Sequence, residues 1–326
     1  MSKPIRRRQL LAGAAAAGAA TILHRRLAAE EPAAAKDAAG DLPRIDYHNH
    51  LDNFTLSKAL DVARERGVKL GIVEHAGTKE NKYPVVLGSD EDLTRYLAML
   101  EGKPVFKGIQ AECVDWMTVF SKEAIAQLDF VLSDAMTFVE KDGSRVELWK
   151  AEKVKIADKQ DFMERYTDFT VRKVAGEPLD ILACATFLPA VLAAEYDALW
   201  TEERMKRIID AAVKSNVAIE IAAWAKLPRP AFLKLAKAAG AKFSFGSNGR
   251  GQNIGKIDYA LEMARQLGLK AADLFTPAPP GKKPVQVRKF ALCAAVRKKV
   301  SGTFSPSSYC GGDSAPPPPT SPPPVS

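Results

Sequence analysis

The chain has 326 residues, 47% hydrophobic and 26% charged, a globular composition that excludes wholesale disorder and a fibrous fold. Four cysteines are too few for a disulfide-dense scaffold. The formal charge of +8 is concentrated at the start: residues 1–29 hold Lys3, Arg6, Arg7, Arg8, Arg25 and Arg26 and no acidic residue, leaving 41 basic against 39 acidic side chains elsewhere. A nearly neutral body offers no broad cationic footprint, so no nucleic-acid partner is expected.

In chain order, Arg6-Arg7-Arg8-Gln9-Leu10-Leu11 leads into an Ala- and Gly-rich apolar stretch, Leu11 to Leu23, with Arg25-Arg26 behind it. The stretch is short of the roughly 20 residues that span a bilayer. The combination looks like a twin-arginine export signal over residues 1–29, with cleavage after Ala29 or Ala35. A periplasmic or secreted location follows, with no stable membrane association once the signal is removed. Residues 30–43 read as an Ala-rich linker, 44–300 as the folded unit and 301–326 as a Pro-rich tail of polyproline II character.

Within the folded unit, short β-rich runs alternate with helical patterns. The runs are Arg44–His48, Lys69–Glu74, Val105–Glu112, Phe130–Leu132, Ile181–Ala183, Ala218–Ile221 and Lys242–Gly246. Leu56, Leu60 and Ala63 share one helical face; Asp90 to Leu100 follows Ser89, with Asp92 placed for a capping box. Thr201 to Val213 and Pro230 to Ala239 repeat the pattern, the latter with Pro in its first turn. Gly143 to Lys159 interrupts the rhythm as a hairpin-like insertion, and Val285 to Val300 reads as a terminal helix. Strand then helix, seven times, predicts an α/β protein whose parallel sheet closes into a barrel.

In such a barrel, chemistry gathers in the loops at the C-terminal ends of the strands. The first strand ends in Asp46-Tyr47-His48-Asn49-His50. Period-two alternation sends both imidazoles to one side, half of a zinc or iron site. The second ends in Val73-Glu74-His75, the third in Gln110-Ala111-Glu112, the fourth near Asp134. Of four histidines one, His24, lies in the signal, and the other three all sit at expected strand ends. A lone histidine is more often structural; three at strand ends point to a metal centre. Cys113, Cys184 and Cys293 read as buried thiols, while Cys310 lies in the tail.

Asp46-Tyr47-His48-Asn49-His50, Gly71-Ile72-Val73-Glu74-His75 and Gly108-Ile109-Gln110-Ala111-Glu112 resemble the first motifs of the PHP (polymerase and histidinol phosphatase) family. The resemblance spans residues 44–250. It implies a distorted (βα)7 TIM-like barrel, a cluster of divalent metal ions (zinc, manganese or iron) and phosphoester hydrolysis, with His48, His50, His75 and Glu112 on ligand positions. The later motifs depart from the family: Ser133-Asp134-Ala135-Met136 and Cys184-Ala185-Thr186 stand where histidines are expected. The closing motif reads Gly246-Ser247-Asn248-Gly249-Arg250, losing an Asp and a His. Asp134 could substitute as an oxygen ligand, Cys184 could offer a thiolate, and Asn248 only a neutral carbonyl oxygen. One or two metals are expected rather than three.

The catalytic reading is a metal-dependent hydrolase acting on a small phosphorylated substrate through a metal-activated water. Arg250 or Lys79 would pair with phosphate oxygens, or be solvated loop charges. Glu74 would support a ligand by hydrogen bonding or act as a general base. The alternatives are a PHP-like barrel that binds metal or ligand without turnover, and an amidohydrolase-type metal hydrolase, which needs more histidines than the chain has. Glu220 lies within the sixth strand, facing either the lumen or the helices. Trp116 and Trp224 follow strand ends and either pack or line the mouth.

Overall fold

The computed structural model describes residues 36–37, 40–52, 54–78, 80–140 and 142–289. The expected export signal, the start of the linker, Lys79, residues 290–300, Cys293, Cys310 and the Pro-rich tail lie outside them; of the helix expected over Val285 to Val300, the described residues are helical only over Pro284–Val287. Among the described residues no helix is long and apolar enough to cross a membrane.

Seven parallel strands run round the central sheet, β1 Ile45–Asn49, β2 Lys69–Ala76, β3 Val105–Ala111, β4 Phe130–Ser133, β5 Ile181–Leu182, β6 Ala218–Ala222 and β7 Phe243–Gly246, and the short Val86–Leu87 pairs with the end of β2. They run side by side in chain order, so each crossover joins neighbouring strands. The helices following them are α1 Leu56–Arg66, α2 Asp90–Leu100, the single turn α3 Lys122–Ile125, α4 Lys159–Gly176, α5 Glu202–Ser215, α6 Pro230–Ala238 and α7 Asp258–Leu267. The fold is thus α/β with a nearly closed, barrel-like sheet. The seam between β7 and β1 carries one bridge: His50 N–H donates to the Gly249 carbonyl and Gly249 N–H to that of His48, each at 2.9 Å. Asp46 reinforces it, accepting from the Ser247 N–H and hydroxyl and from Gly255 N–H.

The helices begin where their sequences signal. Thr55, Ser89, Asp158 and Thr201 cap α1, α2, α4 and α5 by accepting backbone N–H groups. The expected box at α2 is half made: Ser89 accepts from Asp92 N–H, but the Asp92 carboxylate takes the Gly88 N–H. One expectation is corrected. The insertion's hairpin pairs Thr137–Val139 with Arg145–Glu147, so it opens before Gly143, closed by Glu140 N–H donating to the Ser144 carbonyl and Gly143 N–H to the Glu140 carbonyl. Part of the linker also forms a ladder, Lys36–Asp37 with Gly40–Pro43.

The lumen has an aromatic floor. Tyr47 from β1 stacks on Phe106 at 5.4 Å and meets Phe130 and Phe275 edge-on at 5.3 and 5.1 Å. Gly108 makes this possible, because a Cβ there would lie 2.3 Å from the Phe130 ring. Below the floor, Asp129 and Asp180 accept Lys107 N–H and Val131 N–H at 2.8 and 2.9 Å, fastening β4 and β5 to their neighbours.

Candidate functional site at the barrel mouth

Strict alternation along β1 would put Tyr47 and His48 on opposite faces of the sheet. Both enter the lumen, because the β1–β2 register shifts between Asp46 and Asn49. Tyr47 joins the floor while His48 reaches Glu220 and Gln110 across the mouth. The irregularity re-aims the histidines upward, a use that β-bulges commonly serve beside functional sites.

The three imidazoles stand in a row. Ring centroids are 5.3 Å apart for His48 and His50 and 4.4 Å for His50 and His75, and Tyr83 stacks on His75 at 3.5 Å. All three are at most 2% exposed. His75 Nδ1 lies 2.7 Å from Glu112 Oε1, and Tyr83 donates its hydroxyl to Glu112 Oε2 at 3.2 Å. His48 Nδ1 lies 2.7 Å from Glu220 Oε1. Its Nε2 faces Gln110 Oε1 at 2.9 Å, and Gln110 is oriented by donating its Nε2 to Asp134 Oδ2 at 3.1 Å. Both ring nitrogens of His48 thus face side-chain oxygens, an arrangement that favours the protonated ring. Burial opposes that charge, but Glu220 beside it, with Gln110 and Asp46, holds its pKa above the ordinary value.

His50 differs. Neither ring nitrogen has a hydrogen-bond partner among the described residues. Burial, then repulsion from His75, His48 and Arg250, pushes its pKa well down, while Gln110 favours the protonated form. His75 is pushed to about 3 by burial and by Arg250. The carboxyls move the other way: burial lifts Glu112 and Glu74 to about 7 and Asp134 to about 6. Glu74 accepts Leu51 N–H on Oε1 at 3.1 Å, and its Oε2 is unpartnered.

The mouth also collects unusual backbone. Asp52, Cys113, Cys184 and Asn248, each just beyond a strand end, have φ of 45°, 57°, 49° and 46°. Non-glycine residues in the left-handed region cost of order 1 kcal/mol or more and concentrate at functional sites. Gly246 serves the same end sterically, since a Cβ there would lie 1.8 Å from Glu220 Oε1 and drive that carboxylate off His48.

The structure brings His48, His50, His75, Glu112 and Asp134 into one connected group. Glu220, open between two faces on sequence grounds, points into the lumen. Gln110, Tyr83 and Asp52 were missed as site residues; period two from Glu112 could have found Gln110, whereas nothing in the sequence marks the other two. Burial and then Glu220 push the Cys184 thiol far up. Trp116 is buried packing, its indole N–H donating to Glu177, while Trp224 is 44% exposed. Arg250 is not a free clamp. Its Nε donates to Asp52 Oδ2 at 2.8 Å, Nη1 to Asn248 Oδ1 at 2.6 Å and to the Asn248 carbonyl at 3.2 Å, and Nη2 to His75 Nε2 at 3.3 Å. Asn248 thus spends its amide oxygen on Arg250.

Imidazoles and carboxylates are the donors that borderline divalent cations select. Leaving both nitrogens of a buried imidazole unpaired is costly, and a cation at His50 would relieve that cost. The donor set therefore fits such an ion in kind. Among the described residues no three His, Cys, Asp or Glu side chains already converge as a cage. His48 and His75 would exchange present hydrogen bonds for metal contacts; His50 would exchange none.

No family model matches the sequence, and no curated protein matches it. A chain from the "cryo-EM structure of archaeal Ribonuclease P with mature tRNA" superposes with a TM-score of 0.39 at 14% identity, covering 70% of this chain and 84% of that one. That likeness is too slight to carry an argument.

Proposed function

We propose that the barrel mouth is the centre of a metal-dependent hydrolase of the PHP type, acting on a small phosphorylated substrate. The observation that carries this is His50, fully buried between two other imidazoles with both ring nitrogens unpaired. His48, His50, His75, Glu112 and Asp134 would hold one or two divalent ions, zinc, manganese or iron. Such an ion would acidify a water and polarise a phosphoryl oxygen.

The chain's own groups supply the rest. Glu220 and Gln110 fix the His48 ring, and Glu112 fixes His75. Glu74, with its carboxyl near 7 and an unpartnered Oε2, can take or return a proton at neutral pH. Arg250 keeps a permanent positive charge at the mouth, where a phosphate must approach.

The test is metal analysis of the purified protein together with a panel of phosphomonoesters and phosphodiesters at pH 7. Bound divalent ion, and turnover abolished by His50→Ala, is the expected result. Bound ion without turnover on any phosphoester would favour the second reading, a binding protein. That reading draws on Arg250, which sits across the mouth with its donors already engaged. Absence of any bound ion would sink both metal readings.

A further inference from the structure

Arg250 follows the last strand, yet its side chain holds acceptors from three separate strand ends. Asp52 lies beyond β1, His75 in β2 and Asn248 beyond β7. They present a carboxylate oxygen, an imidazole nitrogen and an amide oxygen to one guanidinium, at 2.8, 3.3 and 2.6 Å. Asp52 and Asn248 both adopt the left-handed backbone conformation. Two further buried oxygens nearby are unpartnered among the described residues, Asp52 Oδ1 and Glu74 Oε2, and Glu74 feels the charges of both Asp52 and Arg250. One nitrogen and several oxygens around a positive centre are also the donor set of a divalent cation.

We infer that the Arg250 guanidinium occupies the position of a divalent cation, so that removing it lets the mouth bind one additional ion. The fixed charge neutralises the same acceptors and repels an incoming dication, which also leaves His75 Nε2 committed to Arg250. The inference builds on the metal-site reading only for whatever ion the rest of the mouth holds. The Arg250 side chain is 40% exposed and lies outside the hydrophobic core.

The experiment is equilibrium dialysis of the full chain against Zn2+, with zinc per chain measured by elemental analysis, for wild type, Arg250→Ala, Arg250→Gln and Arg250→Lys. The neutral variants should bind one ion more than wild type. Arg250→Lys, which keeps the charge, should not. Asp52→Asn placed on Arg250→Ala should cancel the gain, locating the extra ion. Equal zinc in wild type and both neutral variants overturns the inference, whether or not wild type holds an ion. Zinc in wild type judges the hydrolase reading separately: a gain from zero to one would uphold the inference while removing the metal-site reading of the native chain.

Discussion

The floor and the mouth of the barrel are built from the same strands, a few residues apart, and they treat their ionisable side chains in opposite ways. On the floor, Tyr47, Phe106, Phe130 and Phe275 pack ring against ring, and the acids beneath them, Asp129 and Asp180, each accept a backbone N–H of the neighbouring strand. At the mouth, imidazoles and carboxyls are equally buried, but His50, Glu74 Oε2 and Asp52 Oδ1 lack partners. Buried polar atoms that are satisfied fasten the fold. Those left unsatisfied are destabilising and ask for a ligand.

The largest effect that can break this comparison is on the floor. Phe130→Ala should cost about 3–5 kcal/mol, because the ring fills space opened by Gly71 and Gly108. Urea denaturation measures it, and a loss below about 1 kcal/mol would mean the floor is not load-carrying core. Asp180→Asn tests whether floor acids are purely structural. Burial pushes the Asp180 carboxyl up to about 7. The native state therefore binds more protons than the unfolded state between about pH 4 and 7, and wild-type stability falls as pH rises through that range. Asparagine can still accept Val131 N–H through its side-chain oxygen. The variant should match wild type near pH 4 and exceed it by roughly 4 kcal/mol at pH 8. A constant gap at both pH values would refute the assignment.

Smaller effects sharpen the mouth. In chelator-treated protein, His50→Leu should raise stability by about 1 kcal/mol, since it deletes two unpaired buried nitrogens. The same change should abolish turnover and metal binding, a trade-off no floor residue would show. A clear loss of stability would mean that His50 has a structural partner. Tyr83→Phe removes the hydroxyl that reaches Glu112 at 3.2 Å while keeping the ring stacked on His75. It should cost about 0.5–1.5 kcal/mol of stability, and loss of the ring stacking or a much larger change would show that the phenol does more than orient Glu112.

All seven strand regions were legible from the chain, because β-rich runs separated by amphipathic helices have one economical solution, a parallel sheet curled on itself. Their lengths fix the crossovers, and each strand end falls at or near the expected residue, as with Val105–Ala111 and Phe243–Gly246. The gathering of His48, His50, His75, Glu112 and Asp134 at one end followed from that same topology. Hydrophobic periodicity is local, so it survives in the sequence.

What only the tertiary structure decided is long-range. The register shift that turns both Tyr47 and His48 inward depends on how β1 seats against β2 and against Gly249 across the seam. Glu220 meets His48, Tyr83 meets His75, and Arg250 draws together Asp52, His75 and Asn248, all across large sequence separations. No spacing rule encodes such meetings, because a side chain's partner is set by strand register and packing between elements rather than by its neighbours along the chain.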